Sequence, residues 1–296
     1  MKSSVVTWVC RALWLAIPIT LGEVFSRSLA QGDTQFALIW QIALWAMWVV
    51  VLGSTFVQLP QALTLIRICV PLAPVLGVGF ALAIDSPNGV GVLGIVGIGQ
   101  AAAVAVLVMS GDVGADFIDG PSYGDERRLG LRPPGFLMIG PLQLMWAITV
   151  GLPVATVSFA AAGKWALAVL AAGVSAPAVW YSSRLIHRLS RRCLVLVPAG
   201  LTLVDELSLA EPTLFRREDI SRLGPAVIGL QAMDLTVGAS GLLVSVDFNR
   251  ELSIVPAGVR GGATEATEVN GILLALTRPG QLLDQAETRR IKVERR

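Results

Sequence analysis

Hydrophobic positions in this chain group on two length scales, and the change falls at Arg184-Leu-Ile-His187-Arg188-Leu-Ser-Arg191-Arg192. Before it the apolar runs are long and the polar gaps brief. After it the runs are short, with Pro, Gly and Asn between them. A helix needs about 20 mostly apolar residues to cross the hydrocarbon of a bilayer. Six segments qualify, at 8–29, 35–57, 62–84, 88–110, 135–161 and 164–184. The pattern predicts an all-α membrane bundle of six transmembrane helices over 1–189, followed by a water-facing domain over 190–296.

In the second part, strands are expected at 193–197, 201–205, 213–217, 219–224, 232–237, 242–247 and 251–255. Residues 194–197 and 201–204 flank Pro198-Ala199-Gly200, a hairpin by length and chemistry. Strand 242–247 follows the turn Gly238-Ala-Ser-Gly241, and Asn249-Arg250 is expected to turn into 252–255. The period then changes. Thr264-Glu-Ala-Thr-Glu268 offers N-capping chemistry, and Val269, Ile272, Leu273 and Leu276 fall on one helical face. That stripe predicts a closing amphipathic helix that completes the core of an all-β or α+β domain. Pro279-Gly280 interrupts it, and the basic tail 289–296 follows.

Charge sharpens this division. Of 23 basic and 21 acidic residues, 28 lie in 184–296, while all eight tryptophans and both tyrosines precede residue 184. The chain is 54% hydrophobic and 15% charged, with a mean hydropathy of +0.69. Ordinary soluble domains are about 25% charged. With the N-terminus inside, the inner segments carry Lys2, Arg11, Arg67, Arg127, Arg128, Arg132, Arg184, Arg188, Arg191 and Arg192. The outer ones hold only Arg27, Asp33, Asp85 and Lys164. This positive-inside bias predicts a multi-pass protein of a bacterial inner membrane with both termini cytoplasmic. Arg127, Arg128, Arg132, Arg184, Arg188, Arg191 and Arg192 are expected at the anionic inner leaflet. Trp165 and Trp180-Tyr181 bracket the sixth span as interfacial aromatics do. No cleavable signal peptide is expected, because Arg11 interrupts the first apolar run. Three scattered cysteines imply no disulfide framework.

Candidate chemistry is sparse. Glu23 and Arg27 are spaced to pair within the first span. Gly89-x-Gly91-x-x-Gly94 fits a dinucleotide-binding pattern, but membrane spans flank it where that site needs a βαβ unit. Gly97 and Ala101 suit close helix packing, and Gln41, Gln100 and Gln143 suit interhelical hydrogen bonds. The long polar segment 111–134 is the most suggestive. Continuation of the fourth helix would place Asp112, Asp116 and Asp119 on one face, where they could hold Mg²⁺ against a lipid diphosphate. Asp116-Phe-Ile-Asp119-Gly120 resembles the opening of the CDP-alcohol phosphatidyltransferase signature. The resemblance ends at Tyr123-Gly124, and the later half of the signature is missing. Docking of 111–134 on the soluble domain is preferred to a metal site. His187 is expected at the interface, and the basic surroundings of Cys193 are expected to lower its pKa. One Cys and one His without an orienting acid make no catalytic set.

The order of seven short strands and one helix resembles bacterial pleckstrin-homology-like (PH-like) domains attached to membrane helices. The phrases that carry the resemblance are Leu194-Val-Leu-Val-Pro-Ala-Gly-Leu-Thr-Leu-Val, Arg217-Glu-Asp-Ile-Ser-Arg-Leu and the final helix. The whole is similar to uncharacterised multi-spanning proteins of actinobacteria. The resemblance implies binding of lipid headgroups or of protein partners. Residues 193–288 hold 6 arginines against 12 acids, which disfavours an anionic surface. Only the tail 289–296, with 5 bases and 1 acid, looks suited to lipid. The expected function is a membrane interaction, scaffold or regulatory protein. It would not be an enzyme and would use no cofactor or nucleic acid. Its partners would be the bilayer and a protein bound through the PH-like domain or the 111–134 segment. A Mg-dependent lipid-headgroup transferase and a small-solute transporter are the alternatives.

Overall fold

The computed structural model describes residues 3–85, 89–227, 232–258 and 265–295, so Lys2, Asn88, Thr264 and Arg296 lie outside the described residues. The chain forms two compact units, each built from separated segments. Met1–Phe117 joins Leu144–His187, and Ile118–Gln143 joins Arg188–Arg296. A single cut near 189 therefore misses the segment between residues 118 and 143, which belongs with the second unit.

Among the described residues, eight α-helices lie at or before Ser190: α1 (Val5–Leu29), α2 (Thr34–Ser54), α3 (Pro60–Cys69), α4 (Leu72–Leu82), α5 (Val92–Val108), α6 (Gly111–Ile118), α7 (Pro141–Ala161) and α8 (Trp165–Ser190). Counting Pro60–Leu82 as one, five helices among the described residues are long and apolar enough to cross a membrane. The count is six if α5 and α6, bent by 57°, form one span. The break between α3 and α4 falls at Val70-Pro71, where proline supplies no amide donor and crowds the preceding turn. Ser4 caps α1 by accepting from the Thr7 amide at 3.2 Å, and Asp33 caps α2 by accepting from Phe36 at 2.6 Å.

The glycine pattern resolves into packing. A β-carbon at Gly97 would overlap the Leu21 backbone of α1, and one at Gly94 would meet Val24 and Glu23. Ala101, Val104 and Val108 continue the same buried stripe of α5. Gln100 lies between the two helices, accepting from Thr20 Oγ1 at 3.0 Å and donating to the Leu13 carbonyl at 2.6 Å. Trp14 and Trp48 each donate an indole N–H to the other's carbonyl, at 3.1 and 3.0 Å. Outward positions such as Leu38, Ile42, Val49, Ile95 and Val169 stay exposed, as a lipid-facing surface requires.

The second unit holds β1 (Arg127–Gly130), β2 (Cys193–Val197), β3 (Gly200–Val204), β4 (Thr213–Arg216), β5 (Ile220–Pro225), β6 (Met233–Asp234), β7 (Leu243–Ile254), β8 (Thr267–Ala275) and α9 (Pro279–Thr288). Among the described residues these strands make two four-stranded sheets, ordered β1-β2-β3-β4 and β5-β7-β8-β6, so the closed barrel that the PH-like resemblance implies is not formed. All pairs are antiparallel except β6 with β8. One core serves both sheets. Leu194, Leu196, Leu201, Leu203 and Phe215 meet Leu223, Val244, Val246, Ile272 and Leu274, with Leu282 and Ala286 of α9.

Three expectations are corrected here. The helix expected across Val269, Ile272, Leu273 and Leu276 is the strand β8, paired with β7. Val269, Ile272, Leu274 and Leu276 enter the core, whereas Leu273 does not. The closing helix begins after the interruption instead. Pro279 occupies its first turn, where a missing amide proton costs nothing. The expected turn at Asn249-Arg250 lies inside β7, which runs through with a register shift between Asp247 and Leu252. The basic tail is also engaged. Ile291 is buried, the Glu294 amide donates to the Leu223 carbonyl at 2.9 Å, and Arg295 pairs with Asp284 and Glu287, both at 2.8 Å.

Candidate functional site, an apolar cavity with a basic rim

The aspartates expected to share one face do separate work. α6 stops at Ile118, with Asp112 in its first turn and Asp119 beyond its end. Asp116 accepts from the Ser4 amide at 2.7 Å and from Thr7 Oγ1 at 2.5 Å, which fastens the start of α1. Asp119 accepts from Ser122 Oγ at 2.7 Å and from the Arg128 amide at 2.8 Å, which shapes the turn into β1. Among the described residues, no group of three His, Cys, Asp or Glu side chains stands close enough to hold a metal ion.

Arginines expected at the lipid surface are in part structural. Arg128 pairs with Glu126 at 2.7 Å, and Arg127 donates to the Glu126 carbonyl at 2.7 Å. Arg132 donates to the carbonyls of Leu276 and Ser240 at 3.0 and 3.1 Å. Arg188 and Arg191 both reach Glu206, at 3.1 and 3.5 Å. Arg192 departs furthest from expectation, with its side chain only 2% exposed. It grips Asp205 through two bonds of 2.7 and 2.8 Å and gives a third, of 2.9 Å, to the Arg132 carbonyl. Asp205 also accepts from the Leu207 amide at 3.1 Å and from Ser208 Oγ at 2.8 Å. A buried charge persists only when paired and hydrogen-bonded this fully. Cys193 is likewise interior. Burial pushes its thiol up to about 11, and this outweighs the opposite pull of Arg128 and Arg191.

A cavity of about 660 Å³ opens among α2, α3, α4, α7 and α8 within the helical unit. Pockets of 300–1,000 Å³ with a few convergent polar groups are typical of small-molecule sites. Its walls are aliphatic, with Met47, Leu65, Leu76, Val150 and Val157 from successive helices. Polar groups gather where α3 begins and α8 ends: Gln61, Thr64, Ser183, Arg184 and His187. Thr64 Oγ1 lies 2.9 Å from the Pro60 carbonyl and 2.9 Å from His187 Nδ1. Arg184 stacks on Trp180, its guanidinium carbon 4.3 Å from the ring centroid. Further down the wall, Thr149 Oγ1 and Ser182 Oγ are 2.7 Å apart and each also reaches a carbonyl of its own helix. The sequence signalled Arg184 and His187 only as interfacial. Their convergence with Gln61 and Thr64 depends on a helix pairing that the sequence does not encode locally.

Comparison with protein-family models, curated proteins and solved structures finds no match. The function therefore rests on the geometry above.

Proposed function

We propose that this chain is a multi-pass protein of a bacterial inner membrane whose second unit is a PH-like interaction module, acting as a scaffold or regulator through a protein partner. Both termini and the module face the cytoplasm in this reading. The observation that carries it is the origin of β1. That strand comes from the segment between α6 and α7, and it pairs with β2 from Gly130↔Cys193 to Arg127↔Leu196. The chain thus passes between the units three times, near residues 117, 143 and 187. The sheets that would hold a partner are joined through the chain to α6, α7 and α8, which suits a protein that reports or transmits binding. The polar groups of the 118–143 segment serve its own fold, which favours an interaction role over metal-dependent transfer.

Exposed apolar side chains mark where a partner would seat. Leu214 on β4 and Leu242 before β7 are 45% and 73% exposed. The test is affinity purification of the full chain in mild detergent, with the parent compared against a Leu214→Asp/Leu242→Asp variant. A protein retained by the parent and lost from the variant supports the reading, and identical captured sets oppose it. Reporters fused after residue 120 and at the C-terminus should both read cytoplasmic. A periplasmic signal at either place removes the proposed topology.

A further inference from the structure

We propose that the cavity among α2, α3, α4, α7 and α8 receives one acyl chain of an anionic phospholipid, with the lipid phosphate against Arg184 and His187. The shape fits this occupant. Val157 lies two turns beyond Thr149 on α7, so the apolar wall extends about 12 Å past the threonine at 1.5 Å per residue. One leaflet of hydrocarbon is about 15 Å deep. The pocket is therefore deep enough for a chain and is apolar along that depth.

The rim fits the headgroup. Arg184 and His187 are the basic side chains among the lining residues. The Arg184 guanidinium is braced over Trp180 at 4.3 Å, and Arg184 belongs to the cavity lining. Thr64 holds the His187 ring through Nδ1. Gln61 and Ser183 add polar side chains at the same end, suited to phosphate or glycerol oxygens. Basic pockets between membrane helices bind anionic headgroups for this reason. A zwitterionic choline lipid would satisfy the wall and offers the same phosphate, but its quaternary ammonium beside Arg184 would offset much of that attraction.

The experiment is native mass spectrometry of the full chain in detergent, with added phosphatidylglycerol or phosphatidylcholine of the same chain length. One phosphatidylglycerol should be retained, and phosphatidylcholine about fivefold less well, the scale expected for an arginine near a headgroup. Arg184→Gln should lower phosphatidylglycerol retention about fivefold, and Arg184→Lys should largely restore it. Ala43→Phe, which fills the cavity, should abolish retention of both lipids. Arg184 is exposed, so the Gln/Lys comparison decides the matter even if Ala43→Phe misfolds. Equal retention of the two lipids would overturn the proposal, as would retention unchanged in Arg184→Gln. Displacement of phosphatidylglycerol by equimolar palmitate would also overturn it, by assigning the site to a free fatty acid.

Discussion

Removing 118–143 from the sheet unit should cost most of its stability, although the deleted segment reads as a loop. Leu129 and Leu131 are 4% and 8% exposed and belong to the shared core. Burying a leucine contributes about 1.5–3 kcal/mol, so the pair contributes about 3–6 kcal/mol. The carbonyl of Gly130 accepts from the Thr277 amide at 3.0 Å and from its hydroxyl at 2.6 Å. Arg192 and Leu276 would lose their bonds to Arg132. Each such bond adds about 1 kcal/mol net. Small domains are stable by only about 5–15 kcal/mol in all, so a fragment of 190–296 falls near or below the folding threshold. Its β2 edge would also be bare and prone to aggregation. The assay is urea unfolding by circular dichroism, comparing 190–296 alone with 118–143 joined to 188–296 by a flexible Gly/Ser linker. The joined chain should melt cooperatively and the fragment should not. Equal midpoints for the two would refute the reasoning.

Three further outcomes are expected. Asp205→Ala should destabilise the unit by about 3–5 kcal/mol, because Arg192 is left charged and unpaired in the core. An Arg192→Met/Asp205→Leu double variant should recover much of this in the same melts. Leu274→Asp should unfold the sheet unit while Leu273→Asp is tolerated, as read by thermal melting, and the reverse order would restore a helix at 267–275. Bonds of 2.6 and 2.9 Å from Arg250 hold Asp219 below the usual carboxylate range. A depressed folded value means that this stability is fully present above the unfolded pKa, about 4, and is lost as pH falls through the folded one. Asp219→Asn should therefore flatten the acid limb of a stability–pH profile below about pH 4 and leave its shape near neutrality unchanged.

The length of the apolar runs by itself determined where membrane helices give way to short strands. That signal is local, because each span must cover the hydrocarbon with its own residues. The β2–β3 hairpin was legible for the same reason, since its register is set by a short turn. The Gly97 stripe could be read as close packing because only small residues allow it. β8 could not be read in this way. Val269, Ile272, Leu273 and Leu276 fit a helical period by coincidence, and pairing along β7 decided the strand. β1 carried even less signal, being Arg-Arg-Leu-Gly, short and polar at its start. It is a strand because Cys193 and its neighbours, distant in sequence, present an edge, and because Leu129 reaches the core. From the sequence Arg192 reads as one more interfacial arginine, and its pairing with Asp205 exists only in the fold. The cavity rim likewise needs α3 and α8 side by side. In each of these cases the deciding partner is far away in the chain, and only the tertiary structure supplies the contact that makes the local choice favourable.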